Sequence, residues 1–164
     1  MQADRESFLK MILKNMGRGK VCVEVGVMKG EHAKMMLDIL HPSKLILVDL
    51  WRSRPEAEQE TRTLFAGNPI IELIKDNSEN VNIGPVDFVY IDTFHNKPAV
   101  ERDLNHWWPQ VRKGGWMTGH DYGMVPESPM FIEVEDAVDD FAVRHERFVQ
   151  TWKNDWLKEW AIKK

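Results

Sequence analysis

Asp92 and His95 stand three positions apart where an apolar run gives out, in YIDTFHNK (90–97), and His120 and Asp121 close another such run in GHDY (119–122). A carboxylate beside an imidazole can orient a polar ligand, hold a divalent cation or move a proton. The ordinary imidazole pKa near ~6.5 leaves neutral His95 available as a general base at pH 7. Two more acids end apolar runs nearer the N-terminus: Glu24 in VEVGVMKGEHA and Asp49 in LILVDLW. A carboxylate at Glu24 suits a ligand carrying an amine rather than a phosphate. Asp49, 23 residues after Gly26, lies where an acid can accept hydrogen bonds from ribose hydroxyls. Either acid alone reads equally well as a solvated strand end; the two together at this spacing favour a nucleoside ligand.

Positioning these groups requires strands that end together. Apolar runs KVCVEV (20–25), KLILVDL (44–50), IIELI (70–74), VDFVYID (86–92) and GWMTGHD (115–121) alternate with helix-like GEHAKMMLDILH (30–41), PEAEQETRTLF (55–65) and PAVERDLNHWWPQVRK (98–113). That alternation is the pattern of an α/β domain with a mainly parallel sheet, and the near-continuous hydrophobicity predicts strands covered on both faces. Pro98 suits a first helical turn, whereas Pro109 should break the far end of its helix. SENVNIG reads as at most one short turn. After the fifth strand, VEDAVDDFAVRH (134–145) reads as a helix. RFVQTW (147–152) and EWAIKK (159–164), joined by KNDWLK, read as an antiparallel hairpin. One amphipathic helix, ESFLKMILKNM, precedes the first strand, so 1–164 is expected to be a single domain: a helical lead-in at 1–19 and a core at 20–164.

Composition narrows the ligand classes. The 164 residues are 43% hydrophobic and 29% charged, and the formal charge of −4 comes without a basic stripe to follow a phosphate backbone, so nucleic acid is not expected as a partner. No apolar stretch reaches the ~20 residues that span a bilayer, and MQADRESFLK lacks the apolar centre of a signal peptide; a cytoplasmic location without a membrane partner is expected. The single cysteine, Cys22, reads as a small core residue. His32, His41, His106 and His145 read as surface residues, and Trp107 and Trp108 as packing against the sheet. Trp152, Trp156 and Trp160 read as serving the hairpin or a subunit interface.

The ordered set VEVGVMKGEHA, LILVDLW, IKDNSENV, VDFVYIDTFH, WWPQVRKGGWMTGHDY and a closing hairpin resembles class I S-adenosylmethionine-dependent methyltransferases. It is most similar to the compact bacterial group related to macrocin-type sugar O-methyltransferases, over roughly residues 20–164. The resemblance implies a Rossmann-like three-layer sandwich around a seven-stranded, mostly parallel sheet of order 3-2-1-4-5-7-6. By the same resemblance Gly26 and Gly30 line the methionine moiety of S-adenosylmethionine, with Glu24 as the acid near that site. Asp49 would bind the ribose, with Leu50 and Trp51 beside the adenine, and Asn77 and Ser78 would meet the adenine edge. Asn77 replaces the usual acid. Asp92 would face the methyl donor and His95 would deprotonate a small-molecule hydroxyl. Thr93 and Phe94 replace a glycine and an acid, and Phe94 would wall an apolar acceptor. In metal-dependent relatives the positions of Asp92, His120 and Asp121 hold magnesium; here one carboxylate is an imidazole, which favours manganese or a metal-free site.

Two other functions stay open. The departures at Thr93, Phe94 and His120 also fit a module that binds the cofactor without catalysis. An NAD-dependent oxidoreductase is disfavoured because its glycine fingerprint would need glycines where Met28 and Glu31 stand. Pocket-shaping loops are expected at RSRPEAEQE (52–60) and GMVPESPMF (123–131), the second as a mobile flap. With so short a cover over the acceptor, a neighbouring subunit is expected to supply a wall, hence a homodimer.

Overall fold

The computed structural model describes residues 2–123, 129–153 and 158–164. The elements run α1 (Gln2–Met16), β1 (Val21–Val25), α2 (Glu31–Leu40), β2 (Lys44–Asp49), α3 (Pro55–Leu64), β3 (Ile71–Lys75), β4 (Val86–Ile91), α4 (Lys97–Trp107), β5 (Val111–Gly119), α5 (Pro129–Arg144), β6 (Val149–Lys153) and β7 (Lys158–Lys163). One seven-stranded sheet has the order β3-β2-β1-β4-β5-β7-β6, as expected. The first five strands are parallel, while β7 runs antiparallel to both β5 and β6.

Alternation along the strands divides the core in two. Cys22, Leu45, Leu47, Phe88 and Tyr90 turn to one face, under α1, α2 and α3; Val23, Val25, Ile46, Val48, Val89 and Ile91 turn to the other, under α4 and α5. Trp107 and Trp108 pack in the second face, as expected. On α1 the buried stripe is Phe8, Leu9 and Ile12, all inaccessible. Each such side chain contributes roughly 1.5–3 kcal/mol of burial, enough to seat the helix. Arg5 lies one turn earlier on the same stripe.

Several expected boundaries shift for identifiable reasons. The strand expected at 115 begins at Val111, which pairs with Val86 ahead of a register shift, so the helix expected to reach 113 stops at Trp107 and a single 3-10 turn carries Pro109. Pro98 does sit in the first turn of α4, whose N-cap is Asn96, with its side chain accepting from Ala99 N–H at 3.1 Å. The last long helix starts at Pro129 rather than 134, since proline is tolerated in a first turn. That start falls inside the expected flap, and the rest of that flap, at 124–128, lies outside the described residues, as do Trp156 and most of the hairpin connection.

Candidate active site

The carboxyl ends of β1, β2, β3 and β4 enclose a cavity of about 490 Å³. A volume of this size is ordinary for a small-molecule site. Its wall includes Gly26, Asp49, Leu50, Asn77, Ser78 and Asp92, six of the residues expected to meet the cofactor. A much smaller hollow shares Asp92, Thr93 and Phe94 with it and reaches His95, His120 and Trp160. Phe94, 67% exposed, stands over both.

Gly26 makes the junction possible. Its N–H donates to Val48 O at 2.9 Å and Asp92 N–H donates to Val25 O at 2.8 Å, which brings the ends of β2, β1 and β4 together. At φ 88°, a Cβ on residue 26 would lie 1.9 Å from the carbonyl oxygen of Asp92. Only glycine fits there. Asp49 locks the turn from the other side: its Oδ2 accepts Val27 and Met28 N–H at 2.8 and 2.9 Å, and its Oδ1 accepts Trp51 N–H at 2.7 Å. Of about four acceptor positions on a carboxylate, roughly one remains for a ligand hydroxyl.

Glu24, Gly30 and Trp51 do not line the cavity. Glu24, 2% exposed, contacts His32 Nδ1 at 2.8 Å, and burial raises its pKa while His32 opposes the rise. His32 is therefore not the surface residue expected; it is buried and its ring lies 4.0 Å from that of Tyr90. His106 also departs from that expectation, lying 2.8 Å from the carbonyl oxygen of Val81. Gly30 lets α2 pass α3, since a Cβ would meet Phe65 at 2.9 Å. Trp51 is buried, with its indole N–H donating to Met28 O at 2.7 Å, so it braces the turn from behind.

The fourth and fifth strand ends converge as their residue types suggested. Asp121 adopts φ 60°, a left-handed conformation that aspartate tolerates, and its carboxylate bridges two rings: Oδ1 lies 2.8 Å from His120 Nδ1 and Oδ2 2.7 Å from His95 Nε2. Asp92 Oδ1 lies 3.8 Å from the same His95 nitrogen. The hydrogen bond to Asp121, with the carboxylate of Asp92 close beside it, pushes the His95 pKa up to about 9. Burial alone would raise the Asp121 pKa, but the bonds from His120 and His95 outweigh it and hold the carboxyl well below the usual range. That pairing favours the imidazolium form, whereas the ordinary imidazole pKa leads to the expectation of a neutral base. Ligand atoms of Asp92, His95 and Asp121 all lie within 4.8 Å of one another. His120 is not in that set; its Nε2 faces Glu159 at 3.7 Å.

Other members of the site come from elements that strand-end reasoning does not reach. Arg5 of α1 donates to Glu159 Oε1 at 3.1 Å and places a terminal nitrogen 3.8 Å from Asp92. Tyr90 donates its hydroxyl to Glu159 Oε2 at 2.7 Å. Asp103 of α4 lines the cavity. Its signal was available in the sequence as an acid on the apolar stripe of Ala99, Val100, Leu104 and Trp107.

Solved structures share this architecture at low identity. The O-methyltransferase from Bacillus cereus, solved in complex with SAH, superposes with a TM-score of 0.73 at 14% identity, over 100% of this chain and 82% of that one. A rRNA methylase from Streptococcus thermophilus gives 0.70 at 14% identity, over 97% and 93%. The O-methyltransferase NovP gives 0.71 at 15%, over 98% and 80%. No curated protein matches the sequence. These likenesses establish the fold, which is the Rossmann-like methyltransferase fold. Residues 23–122, more than half the chain, match the family model described as a methyltransferase domain. That span runs from β1 through Asp49 and Asp92 to Tyr122, just beyond Asp121, and takes in every residue that lines the large cavity: the chain belongs to the methyltransferase domain family.

Proposed function

We propose that this chain is an S-adenosylmethionine-dependent methyltransferase acting on an oxygen atom of a small molecule, nearest in kind to macrocin-type sugar O-methyltransferases. The observation that carries the reading is the junction of the large cavity with the smaller hollow at Asp92, Thr93 and Phe94, beside His95. The large cavity suits the cofactor: Asp49 keeps an acceptor position for a ribose hydroxyl, Leu50 and Val48 offer apolar surface to the base, and Asn77 and Ser78 offer polar edges. Glu24, Gly30 and Trp51 then act by supporting the turn and helix behind that wall. When bound, the cofactor supplies an electrophilic methyl group on a sulfonium.

The protein's part is to orient the acceptor and remove its proton. The hollow itself is only about 10 Å³, so an acceptor would lie at the edge of the large cavity over Asp92, Thr93 and Phe94, with Phe94 as an apolar wall and His95 beside that edge as the base for its hydroxyl. Asp92 and Asp121 fix the ring by its Nε2 edge and stabilise the imidazolium that results from proton transfer. The same three side chains fit a divalent cation, and the mixture of two carboxylates with one imidazole suits manganese better than magnesium. Such an ion would supply Lewis acidity.

The formal charge of −4 supports a small acceptor over RNA. Among the described residues no helix is long and apolar enough to cross a membrane. We read the enzyme as cytoplasmic, and as a dimer in which a second copy walls the cavity edge beside the exposed Phe94. A second reading, a cofactor-binding module without turnover, draws support from the carboxylate pairing that raises the His95 pKa. Methyl transfer from labelled S-adenosylmethionine to a panel of hydroxylated small molecules separates the two. Turnover at pH 9 that drops at least ~100-fold in His95→Ala is expected, the usual scale for a general base. Cofactor binding with no turnover on any acceptor between pH 7 and 9.5 would favour the module instead.

A further inference from the structure

Asp103 is a buried carboxylate on the cavity wall, and its partners are unusual for such a group. The residue is 6% exposed. Its Oδ1 accepts the Ser78 hydroxyl at 2.5 Å and its Oδ2 accepts the Thr93 hydroxyl at 2.5 Å. Trp107 donates its indole N–H to Ser78 Oγ at 2.8 Å. Ser78 therefore accepts from Trp107 and donates to Asp103, so its single proton is already committed. Three elements meet at one carboxylate: the turn after β3, the end of β4, and α4.

Neither hydroxyl neutralises the charge. The nearest cation on the same helix, Arg102, is tied to Glu79 at 3.0 Å. Burial raises the Asp103 pKa, and the bonds from Ser78 and Thr93 only oppose that rise. An ionised carboxylate has about four acceptor positions, and two are filled. A buried carboxylate with acceptor positions still open is stabilised by any N–H that the cavity's occupant brings. At the β3 end, by contrast, Asn77 carries no charge, and Asp76 Oδ1 is occupied by Asn77 N–H and Asn80 Nδ2 at 2.7 and 2.8 Å.

We propose that Asp103 reads the exocyclic amine of an aminopurine nucleoside bound in this cavity, with Ser78 and Thr93 as the positioning residues that aim its carboxylate. The assignment rests on the cofactor reading given above and names the residue that selects the base. It also accounts for Thr93, whose hydroxyl is a tether that a glycine at this position could not supply.

Titration calorimetry of the full chain with S-adenosylhomocysteine and with its 6-oxo counterpart, S-inosylhomocysteine, tests this directly. The wild type is expected to prefer the 6-amino compound by about tenfold or more, the scale of one charge-assisted hydrogen bond. Asp103→Asn should weaken the 6-amino compound by a similar factor and erase or invert the preference, because its amide can donate to a 6-oxo group. Thr93→Val should shrink the preference in the same direction, and it decides the matter should Asp103→Asn fail to fold. Equal wild-type affinity for the two compounds, or an unchanged preference in a folded variant, would overturn the assignment and leave the cofactor reading intact. Binding of neither compound to the wild type would remove both.

Discussion

His95 carries the sharpest consequence at the scale of single residues. With its pKa pushed up to about 9 by Asp121 and Asp92, only about 1% of the ring is neutral at pH 7. A base must be neutral to act, so kcat/KM is expected to rise about tenfold per pH unit through the neutral range and to level off near pH 9. Asp121→Asn removes the larger cause of the shift, and the profile should then move down toward 6.5. A wild-type profile already flat by pH 7 would show that His95 is not the base. Asp92, His95 and Asp121 were legible in the sequence because each stands at or just beyond the end of an apolar run, and parallel strands deliver their carboxyl ends to one edge. The protonation state was not legible, since it depends on a 2.7 Å contact between residues 26 positions apart. Asp49 was legible as a strand-end acid, whereas its three backbone partners required the path of the turn.

Among the elements, α1 does more than cover the sheet. Its buried stripe of Phe8, Leu9 and Ile12 seats Arg5 against Glu159, itself 3% exposed and bonded to Tyr90. Replacing Arg5 by Met keeps the stem but removes the guanidinium contact from that acid, leaving it His120 at 3.7 Å and the Tyr90 hydroxyl. The expected cost in urea unfolding is about 1–3 kcal/mol, toward the lower end because Arg5 keeps some contact with solvent. Lys10→Met, which breaks only an exposed pair with Glu6, should cost less than ~0.5 kcal/mol. Equal effects from the two variants would contradict a built-in role for Arg5. The helix itself was readable from its periodicity, but Glu159 was not assignable to the site, because its place follows from the antiparallel register that sets Trp160 opposite Gly119. The early start of β5 was hidden for a similar reason: Val111 reads as the end of a helix until its pairing with Val86 is known.

At the scale of the molecule, strand order does the work. The reversal of strand order between β1 and β4 opens the crevice, Gly26 lets the two strand ends touch, and α4 and α5 close one side. Alternating apolar runs made this topology readable, since strands covered on both faces leave few arrangements open. What lay beyond reach was the division of the crevice into a large cavity and a small hollow, which depends on where Phe94 stands. A crystal structure grown with S-adenosylhomocysteine tests the central claim most directly. The nucleoside is expected between Asp49 and Ser78, with the sulfur turned toward Asp92 and the hollow beside His95. A ligand bound elsewhere, or a cavity that stays empty at saturating ligand, would contradict it.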